Sequence, residues 1–491
     1  MFLSNAIMIT LHKIIVLTAV ISHVMGFSNY NSNDTNVCPK TSTNLKTIKI
    51  TVQDKVIGTT MTYLGPSGLV GGPNEEVIGE YIKDSGFNTT KFWLSTGNYD
   101  QLASRKELYG PKTKEIAIRQ VVEHPEKINW ELELQKSRLE PSLDLCKRYG
   151  IQPVLQMIAP LASWNSGSVE PIVQQVFWRR VFLYCYWANK VKNYNFILWS
   201  MGSENSLEAS IMQAEVGSDA VREAEKLTGV KVMVSAPGDD WTIREIIDGF
   251  ERILDGEAAN RLDGLSFQSF NFFSTFPKQS DYPTYQEQLR VFDQLQLKYR
   301  PGKPLMPYWD TSWFWRTRTG GGGYQTDHLY SGLQYISRLI WGNLGGVMVS
   351  TPFTMYGAES DSLYGNGLGG VIKVDQETKQ SRPSKAYFAL RMMARATVGG
   401  KEHLHLDGLS ESDEVLTLAS RDKENLYLTV INRTEETTYH LQLILPVGLS
   451  DRPCTILEFS DKLNDEVVAK GSLPLTFELN PLSAKQIILE L

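Results

Sequence analysis

The sequence predicts an α/β fold, a (β/α)8 TIM barrel followed by a C-terminal β-sandwich, and three observations carry that expectation. Short apolar runs alternate with longer amphipathic runs about eight times between residues 58 and 398. After Gly400 the texture changes to period-two alternation broken by Asp, Asn, Gly and Pro. With 491 residues, 42% of them hydrophobic and 21% charged, the chain is long enough for one large domain and a smaller one.

The candidate strands of the barrel are, in order, "GTTMTYL", "NTTKFWLS", "QPVLQMIA", "NFILWS", "VKVMVSA", "LDGLSFQSF", "KPLMPYWD" and "GGVMVSTPF". Each is short and apolar, as a parallel strand covered on both faces must be. Most gaps hold a helix-like run, among them "EEVIGEYIKDSG", "ELELQKSRLEPSLDLCKRYG", "TIREIIDGFERILDG" and "LYSGLQYISRLIWGN". Eight such repeats are what a (β/α)8 barrel requires, a doubly wound open sheet being the rival. Beyond the barrel, "VLTLAS", "NLYLTVIN", "YHLQLILP", "CTILEF" and "AKQIILEL" alternate with period two and read as a sandwich. The expected division is 1–26 signal peptide, 27–45 polar lead-in, 46–398 barrel and 399–491 sandwich, with residues 46–54 available as a further sandwich strand.

The signal peptide rests on His12 and Lys13 before the apolar run "IIVLTAVISHVMG", which is short for a membrane span. A secreted or extracytoplasmic protein follows, with no membrane attachment after cleavage; an uncleaved anchor is the alternative. The net charge of -6 and the lack of a Lys/Arg block argue against a nucleic-acid partner. Four cysteines do not make a disulfide scaffold in a chain this long. Cys146 and Cys185 read as buried thiols, whereas Cys38 and Cys454 are candidates for a bridge. Asn33, Asn88 and Asn432 open N-glycosylation sequons. The seven His residues show no metal-ligand spacing, "GNGLGG" follows a strand without opening a helix, and there is no Ser nucleophile elbow, so neither metal nor cofactor is expected.

In a barrel, the residues just past the carboxyl end of each strand face the active-site mouth. Glu204 follows the fourth strand in "NFILWSMGSEN", and Asp310 ends the seventh in "KPLMPYWDTSWFW". Two carboxylates across one mouth are what glycoside hydrolysis needs, one to protonate the leaving oxygen and one to attack or stabilise the anomeric carbon. A single carboxylate at a strand end serves equally well as a helix cap or loop anchor.

At these residues the chain resembles the clan A glycoside hydrolases, particularly the xylosidase-like and iduronidase-like branches with a C-terminal β-sandwich. The motifs are "WSMGSEN", similar to the family's Asn-Glu end of strand four, and "KPLMPYWDTSW", similar to its strand seven ending in Glu-x-Gly-Trp. The helix "YQTDHLYSGLQYISRLIWGNLGGVMVS" and the run "RPSKAYFALRMMAR" extend the likeness over most of residues 46–491. The resemblance implies a secreted, cofactor-independent glycosidase, with Glu204 as acid/base and Asp310 at the nucleophile position. Several positions depart from it: Ser203 stands for Asn, Asp310 for Glu, Lys91 for an Arg on strand two, and Gln268 and Phe270 for the His and Tyr often found on strand six. Asp in place of Glu retracts the carboxylate by roughly 1.5 Å. That leaves a shifted backbone with retention, a wider gap with inversion, or lost activity.

Lys91, Ser203, Asn205 and Gln268 are the expected polar contacts of a sugar, and Trp93, Trp164, Trp241, Trp309 and Trp313 the expected stacking rings. Lys91, Arg316 and Arg318 read first as solvated loop charges; the alternative is that they bring positive charge to the mouth and suit uronate or sulfate groups. The alternative function is a catalytically silent barrel that binds glycan, matrix or a protein partner.

Overall fold

The structure is a computed structural model that describes residues 44–68, 75–94, 102–159, 169–202, 206–239, 243–269, 282–313, 326–358, 370–375, 377–408, 414–472 and 476–491. The leader and most of the lead-in lie outside these. Eight parallel strands form the barrel: β1 (Tyr63–Leu64), β2 (Thr89–Leu94), β3 (Gln152–Met157), β4 (Leu198–Met201), β5 (Met233–Asp239), β6 (Gly264–Gln268), β7 (Tyr308–Ser312) and β8 (Val347–Ser350). Each pairs with the next from β2 to β8, and β8 pairs with β1. Between β1 and β2 the ring is drawn together by Asn88. Its backbone N donates to the Leu64 carbonyl (3.2 Å), and its side chain both accepts from Leu64 N (3.1 Å) and donates to the Thr62 carbonyl (2.8 Å).

The helices that follow the strands are α1 (Glu75–Ser85), α2 (Lys136–Tyr149), α3 (Pro171–Tyr186), α4 (Leu207–Thr228), α5 (Ile243–Asp255), α6 (Tyr282–Tyr299), α7 (Leu329–Leu344) and α8 (Lys385–Thr397). Their caps are legible in the sequence: Ser206 accepts from Ala209 N at the start of α4, and Ser384 from Tyr387 N at the start of α8. Two further helices, Thr113–Glu123 and Trp130–Leu134, lie in an excursion between β2 and α2. No helix among the described residues is long and apolar enough to cross a membrane.

Strand alternation separates two cores. Outward residues such as Phe92, Leu155, Trp199, Val234 and Phe267 pack against the helices, while Val154, Leu198, Trp309 and Val349 fill the barrel. The indole of Trp309 fits because β6 opens with Gly264, where a Cβ would lie 2.6 Å from Nε1.

The sandwich strands form one hydrogen-bonded set of nine, with Asn44–Thr59 between Glu402–Asp407 and Thr437–Ile444. This first strand is longer than residues 46–54, because Val56, Gly58 and Thr59 also pair, across register shifts, with residues 402–404. Ile50, Val52, Leu428, Val430, Leu441, Ile487 and Leu489 make its core. Cys454 is a buried free thiol there, and Cys38, its candidate bridge partner, lies outside the described residues. A three-stranded sheet of Tyr356–Ala358, Ile372–Val374 and Ser381–Pro383, not anticipated from the sequence, follows β8. Of the three sequons, Asn33 lies outside the described residues, and the other two are engaged within the fold. Asn88 closes the barrel, and the fully buried Asn432 donates to the carbonyls of Thr437, Leu479 and Asn480.

Candidate functional site

Hydrogen bonds across the barrel interior, several of them between strands that are not neighbours, identify the inward side chains. Lys91 Nζ on β2 donates to Ser312 Oγ on β7. Gln156 on β3 donates to the carbonyl of Gly238 on β5 (3.0 Å) and to that of Gly202 just past β4 (2.6 Å). Ser200 on β4 and Ser266 on β6 share a 3.2 Å hydroxyl contact, and Gln268 donates to the Gly238 carbonyl (2.8 Å). Gly238 receives two amides because it has no side chain in the way. A Cβ there would lie 2.8 Å from Gln156 Nε2, and its φ of +68° suits glycine. The interior is therefore apolar around Trp309 and polar at the Lys91, Gln156, Gln268 and Ser312 layer.

Trp93 stands two residues beyond Lys91 on the same face of β2 and is partly exposed. The buried Lys91 ammonium lies 3.9 Å from its ring centroid, and Phe353 meets the ring edge-on at 5.3 Å. An ammonium against an indole face is an attractive cation–π contact, strengthened where water is excluded. Trp93 is thus held as a rigid wall at the carboxyl end of β2.

Asp310 departs from the expected placement. The pairing of Phe267 with Asp310 and of Gln268 with Ser312 leaves Thr311 as an extra residue, a β-bulge in β7. Asp310 consequently shares the outward face of Phe267, and Ser312 shares the inward face of Gln268. The Asp310 carboxylate is 3% exposed and receives the Ser269 hydroxyl at 2.7 and 2.8 Å, with the Tyr285 hydroxyl of α6 at 3.4 Å. Arg338 of α7 donates to Ser269 Oγ (2.8 Å) and its carbonyl (3.1 Å). Burial raises the Asp310 pKa to about 7 against the opposing pull of Arg338 and of the Ser269 and Tyr285 hydrogen bonds. Burial, followed by the Asp310 charge, pushes the Tyr285 phenol well up. The carboxylate belongs to the strand–helix layer, contrary to the expectation that it faces the mouth.

Two of the expected stacking rings are also placed elsewhere. Trp309 fills the barrel beneath the polar layer and is fully buried. Trp313 turns outward, donates to Ser350 Oγ (2.9 Å) and packs on Tyr335 of α7 with ring centroids 4.8 Å apart. Lys91 and Trp93 come together at the carboxyl end of β2, and Gln268 pairs across β6 and β7 with the Ser312 that Lys91 engages. Trp164, Ser203, Glu204, Asn205 and Trp241 lie outside the described residues, as do Phe270, Arg316 and Arg318. Sequence reasoning missed Gln156 and Ser312. A glutamine in the apolar strand "QPVLQMIA" is a signal that was there to find, whereas Ser312 became inward only through the bulge. Among the described residues no group of three His, Cys, Asp or Glu side chains could hold a metal ion.

No family model matches the chain and no curated protein matches it in sequence. Solved structures do match in fold. A GH30 endoxylanase from Clostridium papyrosolvens C71 has a TM-score of 0.59 at 12% identity, covering 90% of this chain and 100% of its own. An alpha-L-arabinofuranosidase from Thermotoga maritima, in an arabinose complex, has 0.59 at 13% identity, covering 91% and 100%. A conserved exported protein from Bacteroides fragilis has 0.64 at 9% identity, covering 90% and 100%. The chain has a clan A glycoside-hydrolase-like fold, a TIM barrel with a C-terminal β-sandwich.

Proposed function

We propose that this chain is an exported, carbohydrate-recognising barrel of the glycosidase type, with the sugar seated at the mouth against Trp93. The observation that supports it is the pairing of a partly exposed Trp93 with the Lys91 ammonium 3.9 Å behind its ring, above a floor of Gln156, Gln268 and Ser312. A flat apolar ring beside fixed amides and hydroxyls matches a sugar, which has C–H faces and a rim of hydroxyls. Export is supported by the leader-like residues 1–26.

Glu204 is the candidate acid. Gly202, two residues before it in sequence, has its carbonyl held by Gln156, and the end of strand four is where the sequence reading puts a proton donor. Asp310 is not its partner in this reading, because its carboxylate is enclosed by Ser269 and helices α6 and α7. The inward position of β7 carries Ser312, which Lys91 engages. Recognition of a glycan is therefore favoured over hydrolysis by the Glu204–Asp310 pair.

The test is binding and turnover on a panel of neutral, uronate-bearing and sulfated oligosaccharides with wild type, Glu204→Gln and Asp310→Asn. Saturable binding without turnover is the expected result. Turnover lost in both variants would restore the two-carboxylate glycosidase, and the absence of any glycan binding would sink the reading.

A further inference from the structure

Away from the mouth, the excursion between β2 and α2 rests on α3 over an unusual buried cluster. Arg179 and Arg180 of α3 are each 1% exposed, and Glu133 of helix Trp130–Leu134 is 0% exposed. One oxygen of Glu133, Oε1, takes all the donors it is given: Arg179 Nη2 at 2.8 Å, Arg179 Nε at 3.2 Å and Arg105 Nη1 at 3.0 Å. Arg180 receives no share of it. Among the described residues its buried Nε, Nη1 and Nη2 make no hydrogen bond of ordinary geometry, nor do Arg179 Nη1 and the Tyr109 hydroxyl, and the acceptor left over is Glu133 Oε2. One turn along, Tyr184 offers Arg180 its ring at 5.7 Å, and its hydroxyl, which donates to the Leu134 carbonyl at 2.5 Å, also lies against the Arg180 guanidinium as a neutral neighbour.

Among the described residues, two enclosed guanidiniums against one enclosed carboxylate leave one positive charge without an enclosed counterion. A charge taken out of water stays favourable only when paired and hydrogen-bonded, and Arg cannot escape by losing its proton. Water could satisfy some of the donors, but it would leave the charge uncompensated in a low-dielectric setting. Tyr109 lies among Glu133, Arg179, Arg105 and Arg180. Burial first, and then the Glu133 charge, push its phenol up to about 12, which keeps it a hydrogen-bond donor. Five buried donor atoms around one surplus positive charge describe a receptor for one compact monovalent anion.

We propose that Arg180, Arg179 and Tyr109 bind one small inorganic anion of chloride size, which fastens residues 102–134 to α3. The excursion that the anion clamps leaves the barrel just beyond Trp93, so the site ties a solution ion to the position of the mouth's rim. The site is separate from the sugar reading and stands or falls without it.

The experiment uses the full chain. Thermal unfolding is followed while sodium gluconate is replaced by sodium chloride at constant ionic strength, for wild type and Arg180→Met, and a wild-type crystal soaked in bromide is examined by anomalous diffraction. Expected are a saturable rise of about 3 °C in Tm for wild type, no such rise in Arg180→Met, and a bromide peak within hydrogen-bonding distance of Arg180. An equal chloride effect in both proteins, or none in wild type, would overturn the proposal. Should the variant fail to fold, the bromide map decides alone: a peak at Arg180 supports the site, and water there without bromide overturns it.

Discussion

Ser269 Oγ lies 2.7 Å from one oxygen of Asp310 and 2.8 Å from the other, on the helix side of β7. A single hydroxyl proton bridges both oxygens, and Arg338 in turn donates to that hydroxyl. The arrangement anchors β6 and β7 to α7, which is structural work for a carboxylate that sequence reasoning assigned to chemistry.

That geometry makes the pH dependence of Asp310 testable. Its pKa is raised by burial from 3.8 to about 7. Between those values the folded chain keeps a proton that the unfolded chain has released. The stabilisation is therefore fully present below the unfolded value and is lost as pH rises towards the folded one. The full loss is on the order of 4 kcal/mol. Asp310→Asn is neutral at every pH, so the Tm of the variant minus that of wild type should climb between about pH 4 and pH 8. A flat difference would mean that Arg338 keeps the carboxylate ionised throughout.

The two tryptophans of β2 and β7 should separate binding from stability. Trp309 fills the barrel beside Gly264, and Trp309→Ala should cost about 3 to 5 kcal/mol of stability while leaving the affinity of any folded protein for sugar nearly intact. Trp93 is partly exposed at the mouth, so Trp93→Ala should lower sugar affinity roughly tenfold or more with little change in Tm. Calorimetric titration and thermal melts on both variants check the pair. The reverse pattern would move the sugar away from Trp93.

The repeat of strands and helices was legible because burial on both faces imposes apolar runs, and the sandwich because burial on one face imposes period two. The same alternation puts Lys91 and Trp93 on one face of β2. It failed in β7, where one bulged residue reverses the face of everything after it. Counting by two from Trp309 makes Thr311 inward, whereas the pairing makes Ser312 inward. No residue type in "YWDTSW" announces that insertion, and a carboxylate at a strand end looks the same whether it faces substrate or a helix. The excursion's buried Arg pair was equally silent, since adjacent arginines on a helix ordinarily read as a solvated face.

The charge at the mouth makes a prediction about sugar class. Lys91→Met keeps much of the side-chain volume and removes the ammonium that lies under Trp93 and engages Ser312. Uronate or sulfate recognition predicts at least a tenfold weaker grip on acidic oligosaccharides in the variant, with neutral ones changed far less. It also predicts that the salt dependence of wild-type binding flattens. Binding of neutral and acidic sugars that is equal in wild type and insensitive to salt would remove the acidic-sugar assignment and leave the stacking role of Trp93 untouched.

The seam between barrel and sandwich turns on Asp465, whose side chain is 0% exposed. Arg391 Nε reaches Oδ2 at 2.8 Å, and Arg395 Nη2 and Nη1 reach its two oxygens at 2.8 and 3.1 Å, so two arginines of α8 converge on one carboxylate of the sandwich. Removing the partner from a buried pair leaves charges enclosed without compensation, which costs about 3 to 5 kcal/mol in a dry site. Arg391 retains Asp84 and Arg395 retains Gln486, so the lower end applies. Asp465 also has a φ of +58°, where Asn is tolerated and Ala is strained. Asp465→Asn therefore isolates the charge from the backbone, and it should lower stability by about 3 kcal/mol. Because the seam weakens while both cores remain, calorimetry should show two unfolding transitions in the variant and one in wild type. A variant that melts in one transition at the wild-type temperature would show that apolar contacts such as Phe459 against Gly332 hold the seam unaided.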